Sequence, residues 1–449
     1  MSPIDKKNRY NEIAQRYGDP WIWGIYFTLL VISIIESYSA SSREIAEQGV
    51  YMPIIKQCIF LGVGAVAVIL LYRIDYNKAK FLYAMIPGLA AVTIITLIYV
   101  MVAGKVINGA QRVLFLPGGF TLQPAELAKL SIVTLLAYIL AKSQKNRDVS
   151  TRGILLSAFA VAVYGGLMLQ SGLTNTLLLM TISFSMFLIG GARIRKILYV
   201  IIFYAVVAGL YFVIHNNNET KDENLRRANP ELVAEGSAPT EQDSKAKTDR
   251  SGTWQSRINA WRNSDSLVYR PITDKNQQEM FSRMAQAHGG MFGVGIGRSR
   301  ECSRLPLAFS DYIYSIIIEE TGFAGACFVL LLYLWLLARA AMIVRRSKRV
   351  LPSLLVIGMA SLITFQALFH MAINVGLFPV SGQPLPLISK GGTATLVMSI
   401  AFGVMLSVSR TIANYRNKSN KTTETLPEGM GDLDKENPTE IAPKNVWRS

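Results

Sequence analysis

Charge is scarce in this sequence. Asp, Glu, Lys and Arg make up 17% of its 449 residues, where soluble domains carry roughly 25%. The deficit lies in long uncharged runs, such as the 23 residues of Phe81–Ala103 and the 18 of Gly153–Gln170. A bilayer core needs about 20 apolar residues to cross, so a large soluble core is excluded. Cysteine and histidine are just as thin. Cys58, Cys302 and Cys327 form no CxxC pair, which implies neither a disulfide framework nor a zinc site. The three histidines stand far apart and suggest no metal cluster. Acids are outnumbered, 30 against 46 bases, for a net charge of +16. In a soluble protein that excess would favour nucleic acid. Basic cytoplasmic loops explain it better here, and no nucleic-acid partner is expected.

What the sequence has in quantity is apolar residues, 51% of the chain. They fall into ten candidate spans: Ile22–Tyr38, Ile54–Tyr72, Phe81–Ala103, Leu127–Ala141, Gly153–Gln170, Leu173–Gly190, Ile197–Ile214, Tyr312–Leu337, Leu354–Val375 and Thr393–Val408. Only Ser171 and Gly172 separate the fifth from the sixth, as in a tight hairpin. The expected fold is an all-α polytopic membrane protein with ten transmembrane helices. Nineteen basic residues, from Lys6 to Arg349, occupy one set of alternating loops. The short loops of the other set hold five: Arg43, Lys56, Lys105, Arg112 and Lys390. This bias puts both termini in the cytoplasm.

Residues 1–21 then form a cytoplasmic segment that does not resemble a cleaved signal peptide. Residues 22–410 form the transmembrane domain, and 411–449 a polar tail expected to be disordered. One long extracytoplasmic loop, residues 216–310, joins the seventh and eighth spans. Its first part, 216–252, is charged, has nothing to bury and is expected to be disordered. Trp254, Ile258, Trp261, Leu267 and Tyr269 should anchor the part that follows to the membrane surface.

Polar residues near the spans carry the chemistry. Asp311 stands at the outer mouth of the eighth span; the plain reading is a helix-start residue favoured by the dipole, with Ser310 as cap. Glu319 lies eight residues further on, about 12 Å deeper, with Glu320 beside it. Carboxylates inside a membrane helix are costly and usually functional or paired. Gln123, Pro124, Glu126 and Lys129 open the fourth span; Lys129 is either paired with Glu126 at i,i+3 or in contact with an anion. Gln366, His370 and Asn374 share one face of the ninth span, where hydrogen bonding between helices is the plainer reading. The run Gly289, Gly290, Gly293, Gly295 and Gly297 lacks dinucleotide spacing and reads better as a flexible turn than as a phosphate cradle. In the Pro379–Gly392 stretch, three prolines and a glycine-rich end prevent a helix, so that backbone must be protein-buried or line a cavity. Ser389, Lys390, Gly391 and Gly392 lead from it into a helix N-terminus, a favourable site for an anion.

Gln123–Lys129, Asn108-Gly109-Ala110-Gln111-Arg112, the glycine run ending in Ser310-Asp311 and Glu319-Glu320, and Pro379–Gly392 occur in order. Together they resemble the SEDS family (shape, elongation, division and sporulation), from about residue 22 to 410 and closest to its division branch. Phe309-Ser310, Val113, Ser171-Gly172 and Lys390 depart from the family's usual His-Thr, Trp, Pro-Asp and Tyr. The resemblance implies a peptidoglycan glycosyltransferase with ten helices that polymerises lipid II outside the cytoplasmic membrane of a bacterium, at the division septum. It places the essential aspartate on Asp311. It also implies a class B penicillin-binding transpeptidase and other divisome proteins as partners, in contact with membrane lipid.

On this reading Asp311 is the base that takes a proton from the acceptor sugar. Arg112, Lys129 and Lys390 are candidates for the pyrophosphate, with a divalent cation such as Mg or Mn as a candidate helper. Gln123, Glu126, Arg304, Ser389, Gly391 and Gly392 are candidate substrate contacts. Glu319, Glu320, Gln366, His370 and Asn374 are candidate supports. A lipid II flippase and a non-catalytic divisome scaffold are the rival readings.

Overall fold

The computed structural model describes residues 3–40, 51–74, 80–103, 105–107, 110–115, 121–145, 148–169, 172–206, 209, 258, 261–262, 271–273, 276–305, 308–347 and 349–424. The charged stretch 216–252, the anchors Trp254, Leu267 and Tyr269, and the tail beyond residue 424 lie outside the described residues. The helices in chain order are α1 (Pro3–Tyr17), α2 (Pro20–Ser39), α3 (Tyr51–Arg73), α4 (Lys80–Ala103), α5 (Pro124–Lys142), α6 (Thr151–Leu169), α7 (Leu173–Ile189), α8 (194–206), α9 (Gln277–Gly289), α10 (Ile313–Val344), α11 (Val350–Asn374) and α12 (Gly392–Glu424). Eight of the described helices (α2 to α6 and α10 to α12) are long and apolar enough to cross a membrane. The chain is thus a mostly helical, polytopic membrane protein. The seventh expected span is described as helix only over 194–206 and at 209.

Several local features went beyond the sequence expectation. The N-terminal segment carries a helix, α1, that no apolar run announces. Helix α12 continues to Glu424, past residue 411, where the disordered tail was expected to start. Two short antiparallel sheets stand where only loops were expected. One joins β1 (Lys105–Ile107), β2 (Ala110–Phe115) and β3 (Thr121–Leu122); the other pairs β4 (Gln144–Lys145) with β5 (Asp148–Val149). Strands this short give little sequence periodicity to read.

Helix α11 is the hub and packs against α5, α7, α10 and α12. Lipid tails supply no hydrophobic drive between helices, so close packing of small residues must hold them together. Gly358 on α11 is one such contact: a Cβ there would come 2.8 Å from Val133 Cγ1 and 3.0 Å from Met186 Cε. Gly403 on α12 is another, with Leu71 Cβ 2.9 Å from where its own Cβ would stand. The outer helices α3 and α4 instead expose Ile59, Val63, Leu70, Val92 and Ile95, the surface that lipid covers.

The basic end of the bundle is tied by one buried ion cluster. Asp19 caps α2 by accepting from Trp21 N at 3.0 Å, and it receives Arg339 Nε at 2.9 Å and Nη2 at 2.7 Å from α10. Tyr10 of α1 donates to Asp19 at 2.7 Å and also meets the Arg339 guanidinium. Burial, and then the bond to Asp19, push the Tyr10 phenol up to about 12, which keeps it a donor. Arg339→Ala would strand a buried carboxylate, so it should cost about 3–5 kcal/mol in thermal unfolding of the purified protein. The double substitution Asp19→Asn, Arg339→Met should recover most of that loss.

Candidate active site

The other end of the bundle gathers most of the expected polar residues, and its geometry starts from a broken helix. Gly322 has φ 72° and ψ −172° inside α10, which frees backbone groups on both sides of it. The glycine run fills the gap. Val294 N and Gly295 N donate to the carbonyls of Glu319 and Glu320 at 2.9 Å, while Phe323 N and Ala324 N donate back to Gly290 O and Met291 O at 3.0 and 3.2 Å. A side chain at Gly289 or Gly293 would overlap the α10 backbone at Ile318 or Glu320. The run is therefore neither a flexible turn nor a phosphate cradle. It is a backbone splice that satisfies a discontinuous membrane helix, as non-helical backbone at that depth requires.

The adjacent carboxylates secure the splice. Glu319 accepts from Arg300 N at 2.9 Å and from Ser299 Oγ. Glu320 accepts from Ser39 Oγ at the end of α2. None of these bonds involves Asp311. Arg304 is exposed and pairs with Glu301 at 3.5 Å.

Asp311 itself is half-buried in the turn just before α10. Ser310 is not the cap, because the helix starts at Ile313 with Tyr312 in the cap position. Its hydroxyl instead donates to Asp311 Oδ1 at 3.0 Å. The proline-rich loop closes over this turn. Ser389 Oγ donates to Ser310 O and accepts from Leu385 N, both at 2.8 Å, and Lys390 N donates to Phe309 O at 3.0 Å. The Lys390 ammonium lies 5.0 Å from the centre of the Phe309 ring. Tyr333 fastens the same loop from below, donating to Pro386 O at 2.6 Å. Leu387, within it, has φ 64°, the one left-handed non-glycine among the described residues. That conformation costs a leucine roughly 1–2 kcal/mol, which this anchoring must offset.

Beneath the loop, Lys129 has none of its surface exposed. Its ammonium has three donors, and each finds an oxygen: Glu126 Oε1 at 2.7 Å, Gln366 Oε1 at 2.9 Å and Gln383 Oε1 at 3.3 Å. The i,i+3 pair is present, and the loop's own Gln383 completes the shell. Buried Ser389 is likewise engaged on both sides, so neither residue presents a free polar group to a substrate. Gln123 is exposed at the start of α5, and Gly391 and Gly392 open α12 as expected, with Gly392 pressed against the Phe60 ring. The Arg112 backbone lies in β2; its side chain lies outside the described residues.

Helix α9, which no sequence signal announced, closes the remaining side. A cavity of about 200 Å³ opens between it and the end of α11, lined by Trp261, Glu279, Arg283, Tyr312, Asn374 and Phe378 among others. Burial raises the Glu279 carboxyl above its ordinary range, against the pull of Arg283 2.8 Å away.

The family model described as "Cell cycle protein", which covers FtsW, RodA and SpoVE, matches residues 20–228 and 249–414. The chain belongs to that family. Among its members, a probable peptidoglycan glycosyltransferase FtsW of Trichlorobacter lovleyi is 28% identical over 386 residues, 85% of this chain and 90% of the relative. The stage V sporulation protein E of Bacillus subtilis is 28% identical over 395 residues, 86% and 95% of the two chains. The FtsW/RodA/SpoVE fold extends to solved structures. A chain of a peptidoglycan synthase complex, solved to describe coordination of polymerization and crosslinking, superposes with a TM-score of 0.60 at 23% identity, covering 87% of this chain and 98% of that one. The rod shape determining protein RodA of Thermus thermophilus gives 0.58 at 21%, covering 88% and 97%.

Sequence reasoning missed Gln383; Asn175, which accepts from it at 2.6 Å; Ser315, which donates to Asn374 Oδ1 at 2.9 Å; and Gln286, which donates to Ser315 Oγ at 3.0 Å and Asn374 O at 2.7 Å. Gln383 carried a signal, as a polar side chain between Gly382 and Pro384 in an apolar loop. A helix break at Gly322 makes its own prediction: Gly322→Ala should force the left-handed residue into strain and collide with Met291. The expected outcome is a loss of folded, monodisperse protein at least as large as that from Gly24→Ala, where open space surrounds the glycine.

Proposed function

We propose that this chain polymerises lipid II into peptidoglycan glycan strands at the outer face of the cytoplasmic membrane of a bacterium. It releases the polyprenyl diphosphate carrier and serves septal wall synthesis during division. The observation that carries this reading is Asp311, a half-buried carboxylate held by two loops at one end of a bundle that shares its family with named glycosyltransferases. On this reading the bundle has ten spans, α7 and α8 among them. Its basic face, with Arg339, Arg193 and Lys196, is cytoplasmic, and Asp311 faces outward.

The chemistry follows from the leaving group. Pyrophosphate departs readily once its charge is neutralised, so a single base on the acceptor hydroxyl is enough. Asp311 takes the hydroxyl proton as the oxygen attacks C1 in line. The new C1–O bond forms as the bond to the pyrophosphate breaks, the electron pair leaves with the phosphate oxygen, and C1 inverts. Lys390, beside the turn that carries Asp311, and Arg112 in β2 are the cations nearest in role to that leaving group. Exposed Gln123 and the α12 N-terminus at Gly391-Gly392 are further contacts for it. Arg304, on the same face, guides the substrate in. Among the described residues no three His, Cys, Asp or Glu side chains gather to hold a metal. The steps above use no metal; a divalent cation such as Mg or Mn, if bound, would neutralise the pyrophosphate.

The partner on this reading is a class B penicillin-binding transpeptidase, with other divisome proteins around it. A solved neighbour's place in a peptidoglycan synthase complex supports it. The test is glycan formation from lipid II by the purified full chain in detergent, with and without a candidate transpeptidase. Asp311→Asn should lose about 10²–10⁴-fold in rate and stay folded. A flippase yields no glycan in detergent, and a scaffold is indifferent to the substitution; either result would overturn the reading. A fluorescent fusion should collect at midcell.

A further inference from the structure

The polar stripe on α11 is not an unordered set of interhelical contacts. Each orientation within it is set by a partner that can only donate or only accept. The Asn374 amide is fixed first. Ser315 N–H can only donate and reaches Asn374 Oδ1 at 3.3 Å, with Ser315 Oγ donating to the same oxygen at 2.9 Å. Nδ2 therefore points the other way, where it donates to the main-chain carbonyls of Asp311 and His370, both at 3.0 Å, and meets His370 Nε2 at 3.2 Å.

That assignment fixes the histidine. Nε2 faces the amide nitrogen, a donor, so the arrangement favours an Nε2 that carries no proton. Nδ1 lies 2.6 Å from Gln383 O, which can only accept, so Nδ1 carries the hydrogen. His370 is a neutral imidazole of defined tautomer, and an imidazolium would set two donors against each other. Gln383 is fixed in turn: Lys129 can only donate, so Oε1 faces it, and Nε2 donates to Asn175 Oδ1 at 2.6 Å. Gln366 obeys the same logic between Lys129 and Pro384 O, at 2.9 and 3.2 Å. All four α11 and loop residues are at least 97% buried, with exposures of 3% for Asn374 and Gln383, 1% for His370 and 0% for Gln366. The charged groups at the two ends of the line are Lys129 with Glu126 on α5, and Asp311.

We propose that Asn374 and His370 are positioning residues for Asp311. The Asn374 amide, held between Ser315 and the neutral His370 imidazole, holds the backbone of the turn and so sets where the Asp311 carboxylate stands, and Gln383 ties that placement to the buried Lys129. The proposal rests on Asp311 being the base. Misplacing a catalytic group by about 1 Å can cost on the order of 10²-fold, and such a loss falls on turnover rather than on substrate affinity.

The experiment measures kcat and KM for glycan synthesis from lipid II by the full-length chain with its transpeptidase partner, alongside thermal unfolding. Asn374→Ala and His370→Leu should each lower kcat by about 10²-fold with KM changed less than about threefold. His370→Gln places an amide oxygen at the reach of Nε2 and keeps Asn374 oriented, so it should recover most of the His370→Leu loss. His370→Asn is too short to reach Asn374 and should recover little. Equal kcat for His370→Gln and His370→Leu, or losses that follow thermal stability across the four variants, would overturn the proposal. A loss confined to KM would do the same. Asp311→Asn separates the two levels. If it remains active the assignment of the base fails; if it is inactive while Asn374→Ala keeps full kcat, only the positioning role fails.

Discussion

An ammonium group sealed from water holds the Asp311 end of this bundle together. An unpaired Lys129, fully buried in the bundle, would cost several kcal/mol, so oxygen atoms have to converge on it from wherever the chain can supply them. They come from α5 itself, from α11 and from the proline-rich loop. The last of these matters most for function. Gln383 reaches down from a segment with no secondary structure of its own, and its bond gives that loop a fixed depth. Ser389 and Lys390, six and seven residues further along, then close on the turn that carries Asp311. The demand of a buried charge is thus converted into the placement of a loop, and the loop into the placement of a carboxylate.

The same accounting of polar groups explains the glycines. Breaking α10 at Gly322 exposes carbonyls and amides that neither lipid nor apolar side chains can satisfy. A second backbone has to lie directly on the break, and only glycine allows that approach at Gly289 and Gly293. The carboxylates of Glu319 and Glu320 secure the flanks through Ser299, Arg300 and Ser39. Charge inside a membrane helix therefore has two distinct uses here. One pair of acids fastens the splice, while Glu126 neutralises Lys129 beneath the site.

These two networks also show where the linear pattern could be read and where it could not. Helix start at Pro124, the acid in the first turn at Glu126 and the start of α12 at Gly392 follow from residue chemistry within one turn, and they stand where the pattern put them. The face shared by Gln366, His370 and Asn374 follows from helical spacing alone. Ser310 was misread as a cap because Ser310 and Asp311 lie in a turn held by Ser389 and Asn374, which are 79 and 63 residues away. Helices α1 and α9 were missed for a related reason. Both are polar helices whose stability comes from packing on α12 and on α10, and an amphipathic stripe that short looks like a loop.

Long apolar runs, the uneven basic loops and the order of the polar motifs were enough to establish a membrane-spanning helical chain and to point to its family. They suffice because lipid imposes rules that act on each segment separately: a span must be long, uncharged and hydrogen-bonded within itself. The partner of each buried polar group was decided only by the tertiary structure. A glutamate beside a glutamate can serve a splice or a site, and a lysine one turn into a helix can meet a phosphate or a glutamine. The two differ by a few ångströms of packing between residues hundreds of positions apart, and no local pattern encodes that distance.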